Sequence, residues 1–359
     1  MAESSESTEF GTSPQNKVFS LDPLSGDSWD TLTVTHPRAS FFHSSGWARV
    51  LKASYGHQLR YLGEMNGDKP RWLLPISEVN SSWKGCRGVS LPFSDECAPL
   101  CFNDSNGDGL LESALEIGRR HGWKYLEIRG AIPGAPSLPP WTTYVGHEVD
   151  LTVGVDKLFA GLESSVRRAI RKAEKAGLVV RILDTLEATQ IFYALHCRTR
   201  RKHGVPPQPF SFFANLCEHV LRKGSGFIAL AEHQGRAIAG GVFVHHGRTG
   251  LYKFGASEEA TLQLRANDLT MWKAIEWYAT GGYTTFSMGR TSPSNEGLRR
   301  FKRGFGAQEK SINYFRYDLQ RQAFVAEGGK ETASHSNLLR LTPLPVLRMI
   351  GRTLYRHLD

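Results

Sequence analysis

The chain has 359 residues, 40% hydrophobic and 22% charged, the proportions of an ordinary globular protein with more residues than one small core needs. Its 44 Lys and Arg outnumber 35 Asp and Glu for a net charge of +9, which favours partners carrying phosphate or carboxylate. No apolar run is long enough to span a bilayer and no apolar signal segment is visible, so a cytoplasmic protein is expected. Five cysteines without a CxxC pair (Cys86, Cys97, Cys101, Cys197, Cys217) suit reduced thiols rather than a disulfide framework or a zinc site.

In chain order, residues 1–27 open acidic and Ser-rich and are expected to be a disordered leader. "FFHSSGWARVLKASYG" predicts a Ser-capped helix carrying Trp47, Val50 and Leu51 at helical spacing. Two β-type runs follow, joined by the hairpin signal Asn66-Gly67-Asp68. A helix with Leu110, Leu111, Ala114, Leu115 and Ile117 on its apolar face comes next, then the strand "KYLEIRG" ending in Arg129-Gly130.

The second half repeats this grammar. Two helices over "EATQIFYALHCRTRRKHG" and "SFFANLCEHVLRKG" lead into a three-strand meander with turns at Gln234-Gly235 and Gly247–Gly250. A helix opening at Asn267 or Asp268 and a strand ending in Gly289-Arg290 complete it. Helix, hairpin, helix and strand thus recur, which predicts duplicated α/β domains with mixed sheets over 28–150 and 151–320. Between the halves, Arg167, Arg171 and Lys175 fall four apart on a predicted helix, with Arg168 and Lys172 beside them. Such a face is either simply solvated or a surface for phosphates.

Several chemistries are excluded by pattern. There is no GxxxxGK[ST] loop, no GxSxG elbow and no HExxH, and adjacent His245 and His246 point to opposite faces of a strand. "DSNGDG" opens like a calcium loop at Asp104, but its twelfth position is Leu115, which cannot ligate. What remains is the strand end at Arg290 and the basic segment after it. A short helix capped by Ser294 is expected there, presenting Arg299, Lys302 and Arg303 together while Phe301 and Phe305 face the core.

These residues carry a family resemblance. "SVRRAIRKAEKAGLVV", "YKFGAS", "RANDLTMWKAIEWYATGGYTTFSMGR" and "GLRRFKRGFGA" resemble the FemAB/FemX-like peptidoglycan-bridge aminoacyltransferases. They are closer still to relatives with a BioF2-like acetyltransferase domain, some linked with exopolysaccharide synthesis; "FFHSSGWARVL" and "SLPFSDECAPL" look like first-half signatures. The likeness runs from about residue 40 to 320. It implies tandem duplicated GNAT-like domains and transfer of an activated acyl or aminoacyl group to an amine on a nucleotide- or lipid-linked envelope precursor. The co-substrate would be acyl-CoA or aminoacyl-tRNA, with no bound cofactor or metal. The resemblance makes Lys302 the catalytic residue beside the transferred carbonyl, with Phe301 next to it. It gives Arg168, Arg171 and Lys172 to phosphates, and sets Ser94, Asp95, Tyr252 and Arg290 along the cleft.

The chain departs from the pattern twice. It has no room between 177 and 225 for the coiled-coil arm of some bridge enzymes, and Arg303–Gln308 only approaches the [RQ]xxGx[GA] pyrophosphate loop. The donor stays open at this point. A CoA-dependent N-acetyltransferase and a non-catalytic RNA- or polyanion-binding module are the alternatives. Residues 321–337 read as a linker. Residues 338–359 read as an amphipathic helix starting after Pro345, which either docks on the protein or lies on an anionic membrane.

Overall fold

The computed structural model describes residues 9–10, 18–25, 28–66, 69–103, 105–326 and 337–359. Most of the expected leader and linker, Gly67-Asp68 of the expected turn, and Asp104 lie outside the described residues. The chain forms two compact units, one drawn from 1–143, 312–330 and 356–359, the other from 144–311 and 331–355.

The first unit contains strands β1 (Glu9–Phe10), β2 (Val18–Leu21), β3 (Gln58–Leu59), β4 (Tyr61–Asn66), β5 (Lys69–Leu74), β6 (Ser77–Ser81), β7 (Gly85–Val89), β8 (Leu100–Cys101) and β9 (Tyr125–Arg129). Its helices are α1 (Ser28–Val34), α2 (Ser45–Tyr55) and α3 (Leu110–Arg120). Part of the expected leader is therefore a strand: β2 pairs with β4 in a sheet ordered β1-β2-β4-β5-β8. Ser44 caps α2 by accepting from the Trp47 amide, and Trp47, Val50 and Leu51 are fully buried, as their spacing predicts. Leu110, Ala114, Leu115 and Ile117 of α3 pack with Trp72, Leu74, Leu126 and Ile128. β7 and β9 run parallel, with α3 between them in sequence.

The second unit holds strands β10 (Thr142–Asp150), β11 (Val179–Leu183), β12 (Gly226–His233), β13 (Arg236–His246), β14 (Thr249–Ser257) and β15 (Thr285–Thr291). Its helices are α4 (Val155–Gly161), α5 (Ser164–Lys175), α6 (Leu186–Lys202), α7 (Phe210–His219), α8 (Ala266–Thr280), α9 (Glu296–Gly304), α10 (Asn337–Leu341) and α11 (Leu344–Leu354). The strands follow the order β11-β12-β13-β14-β15-β10 and are antiparallel except for the β14–β15 pair. Gln234 and Gly235 both adopt positive φ (51° and 76°), the backbone of a two-residue hairpin turn, where the sequence sets it. Phe227, Phe243, Leu269, Trp272, Ile275 and Phe286 form the core under α5 and α8. The last long helix begins at Leu344, not after Pro345, because proline is tolerated in the first turn, where its missing N–H has no helical partner anyway.

The remaining strands are β16 (Gln308–Asp318) and β17 (Ala323–Phe324). From Ile312 onward β16 belongs to the first unit, where Tyr314 pairs with Arg129 and Phe315 enters the core. Each unit thus carries two parallel strands with a helix between them in sequence: β7 and β9 around α3, β14 and β15 around α8.

Candidate active site

β14 and β15 pair only over Thr249↔Thr285, Gly250↔Phe286 and Leu251↔Ser287. Beyond that point β14 stays with β13 and β15 stays with β10, so the two strands part. Parting leaves ladder groups that must find other partners. On the β15 side the register slips between Gly146 and Glu148 of β10, and Gly289 takes φ +70°, a conformation that glycine adopts without a Cβ penalty.

Helix α9 answers that gap. The Asn295 side chain, not Ser294, caps it by accepting from the Leu298 amide at 3.1 Å. Lys302 is 2% exposed, and its Nζ donates to the carbonyls of Gly289 (2.9 Å) and Arg290 (3.2 Å). A buried ammonium needs such acceptors, since its desolvation is otherwise unmatched. Burial lowers the pKa of neighbouring His147, with the Lys302 charge acting in the same direction, and its Nε2 lies 3.2 Å from Glu309 Oε1.

The expected common face of cations does not form. Lys302 turns inward, whereas Arg299 donates to both Glu309 oxygens (3.0 and 2.7 Å) and Arg303 pairs with Glu296 and Glu309. Arg299, by its hydrogen bond and its charge, holds the Glu309 carboxyl down to about 2. The carboxylates that neutralise these arginines come from the start of α9 itself and from β16.

Beside the parted strands lies a cavity of about 290 Å³, lined by Gly241, Phe243, Tyr252, Gly255, Met271 and Phe301, among others. Glycines seat its aromatic wall: a Cβ on Gly255 would stand 1.6 Å from Tyr252 Oη, and one on Gly241 2.6 Å from the Phe243 ring. At its polar end, Asn267 Nδ2 donates to Ser257 Oγ at 3.1 Å, and the Ser257 amide donates to Thr199 Oγ1 at 3.2 Å. Burial pushes the Tyr252 phenol up to about 12, so it is neutral and a hydrogen-bond donor at neutral pH. Among the described residues its hydroxyl has no protein hydrogen-bond partner. A wider crevice of about 580 Å³ is lined by Glu148, Asp150, Lys157, Glu309 and Lys310, but Lys310 is spent on Glu148 at 2.8 Å and Glu309 on Arg299.

The equivalent divergence in the first unit is filled. β7 and β9 pair over Gly88↔Leu126 and Val89↔Glu127, and the chain then turns through Ser94 and Asp95. Arg129 Nη1 donates to the carbonyls of Leu91 (3.3 Å) and Ser94 (3.2 Å), and the Tyr314 hydroxyl donates towards those of Ser94 (3.1 Å) and Asp95 (2.7 Å). The Ser94 hydroxyl is turned back onto the Leu91 carbonyl at 2.7 Å.

Of the residues expected from sequence, Tyr252 and Phe301 line the cavity. Lys302 sits behind that wall, holding β15, and the Arg290 guanidinium lies 4.0 Å above the Tyr144 ring. Arg168, Arg171 and Lys172 are exposed on α5 and do not line it. Their neighbour Arg167 instead donates to the Leu162 carbonyl at 2.7 Å, closing the end of α4.

Residues 162–303 match the acetyltransferase (GNAT) domain family. That stretch of the chain is similar to a GNAT-type acetyltransferase domain. No curated protein matches the chain in sequence. Among solved structures it is similar to FemX, with a TM-score of 0.66, 14% identity, and coverage of 82% of this chain and 96% of that one. The C-terminal domain of a putative lysylphosphatidylglycerol synthetase from Agrobacterium fabrum gives 0.54, 13% identity, and coverage of 90% and 94%. A tandem GNAT protein from the clavulanic acid biosynthesis pathway gives 0.53, 12% identity, and coverage of 85% and 98%. Similarity at these identities is one of fold, and the expected tandem GNAT-like fold holds.

Within this domain, sequence reasoning missed Gly241, Phe243, Gly255, Asn267 and Met271 as cavity residues. The signal was present: Gly240-Gly241 interrupts a strand, and "YKFGAS" and "RANDLTMW" carry the resemblance.

Proposed function

We propose that this protein moves an activated acyl or aminoacyl group onto an amine of a cell-envelope or exopolysaccharide precursor. One observation carries the reading: a neutral phenol, Tyr252, in the lining of a cavity at the strand divergence, with no protein hydrogen-bond partner among the described residues. The amine nitrogen attacks the donor carbonyl, a C–N bond forms, and the C–S or C–O bond to the donor breaks. Negative charge develops on the carbonyl oxygen, where a preorganised donor such as Tyr252 is worth about 3 kcal/mol. The attacking amine gives up one proton and the departing thiolate or alkoxide takes one up.

Lys302 has a different role in this proposal. Its ammonium is committed to the Gly289 and Arg290 carbonyls, so it positions β15 and, through neighbouring Phe301, the cavity wall. The cavity holds a short acyl or aminoacyl group rather than a whole donor, whose remainder lies outside it. Arg168, Arg171 and Lys172, exposed on α5, suit phosphates of donor or acceptor.

The donor is a CoA thioester or an aminoacyl ester. The segment leading into α8 has no glycine-rich run, and its Glu258 and Glu259 are already paired with Arg198, Arg236 and Lys202. Incubating the full chain with an acyl-CoA mixture, and separately with aminoacyl-tRNA, plus amino-sugar and peptide envelope precursors, separates the two by the mass added to the acceptor. Tyr252→Phe is expected to bind donor but turn over at least about a hundredfold more slowly. Wild-type turnover by that variant removes Tyr252 from the chemistry.

A further inference from the structure

Helices α10 and α11 present a surface that acyl transfer does not explain. One face of α11 is fixed to the protein: Leu347 is fully buried and Gly351 lies so close to the Pro207 carbonyl that a Cβ would stand 2.0 Å from its oxygen. Just beyond, the Tyr355 hydroxyl donates to the Pro206 carbonyl at 3.1 Å and receives from Arg200 Nη2 at 2.8 Å. The opposite side is apolar and open, with Leu341 85% and Met349 64% exposed, and Leu338 and Val346 exposed beside them. Arg340, Arg348 and Arg352 are interleaved with these residues, and residues 338–354 contain no Asp or Glu. Among the described residues Arg340 and Arg352 have no ion-pair or hydrogen-bond partner. Arg348 and Arg352 also rim an open, largely apolar groove of about 520 Å³ over Tyr193, Pro209 and Phe210.

We propose that this face docks on an anionic phospholipid surface. Apolar side chains of this size enter the region between headgroups and acyl chains, while interleaved guanidiniums meet lipid phosphates. Charge decides the occupant: a second copy of this chain would bring the same cations and repel, and a neutral apolar partner would leave the arginines unmatched. Among the described residues no helix is long and apolar enough to cross a membrane, so the contact is peripheral.

The test is independent of acyl transfer. The full chain is floated with phosphatidylcholine vesicles, with and without phosphatidylglycerol, at low and high salt. Partitioning onto the anionic vesicles alone, weakened by salt, is expected. Each arginine removed is expected to lower it roughly fivefold, so R340Q/R352Q falls by more than about tenfold. L341E/M349E is expected to abolish it, with an unchanged circular dichroism spectrum and melting temperature for both variants. The proposal is overturned by absence of wild-type flotation on anionic vesicles, or by full flotation of the folded L341E/M349E variant. It is equally overturned if RNA or heparin binds this face and anionic vesicles do not.

Discussion

The ammonium of Lys302 stands 2.9 Å from the carbonyl of Gly289, at the bulge where β15 has left β14. A single side chain from α9 thus completes a backbone that the sheet leaves incomplete. It carries its charge into the interior to do so, and four properties of the molecule can be tested from that region and from the histidines buried elsewhere.

Replacing Lys302 with Met keeps the bulk and strands two carbonyls. Leaving buried acceptors unsatisfied costs about 1–3 kcal/mol each, so the unfolding free energy from urea titration should fall by about 2–6 kcal/mol in all. Acyl transfer should fall further than stability accounts for, through kcat, because the wall bearing Phe301 shifts. A variant with wild-type unfolding would refute the strut.

Gly255→Ala places a methyl where the Tyr252 hydroxyl is, 1.6 Å away, so the ring must leave its seat. The expected result is loss of turnover comparable to Tyr252→Phe, with a melting temperature reduced only modestly, since the ring can move towards the cavity. Retained activity in Gly255→Ala would show that the phenol's position is immaterial.

The cap on α9 is a local matter. Asn295→Ala removes the acceptor for the Leu298 amide and should cost about 1 kcal/mol, whereas Ser294→Ala should be neutral within about 0.5 kcal/mol. Equal effects in denaturant titrations would contradict the observed cap.

Acid should destabilise the fold before its carboxylates titrate. Burial lowers His196 to about 3 and His57 to about 4, so both stay neutral in the folded chain while their unfolded counterparts protonate below about 6.5. The unfolded state then binds more protons, and stability falls with falling pH by about 1.4 kcal/mol per unit for each histidine until the folded value is reached. Above pH 6.5 neither contributes a slope. Unfolding free energies at pH 7.5 and 5, with His196→Gln as the comparison, measure this; the variant should have the shallower dependence.

Much of the fold is legible in the sequence because it is encoded locally. The spacing of Leu110, Ala114, Leu115 and Ile117 defines a buried helix face, Ser44 caps α2, and Gln234-Gly235 takes the positive φ angles of its turn. The repeated order of helix, hairpin, helix and strand, together with its motifs, leads to the tandem fold and to the proposal of acyl transfer.

Tertiary structure alone decided which divergence holds a cavity. In the first unit Tyr314, reached only after the chain has run through the second, joins Arg129 in filling the gap with hydrogen bonds. In the second, aromatic rings seat against Gly241 and Gly255 and a cavity remains beside them. The charges of α9 followed the same rule: Arg299 and Arg303 look free in the sequence and are neutralised in part by Glu309, on another element. Periodicity along a chain records which face is apolar. Whether a polar group finds a partner depends on atoms that only folding brings near.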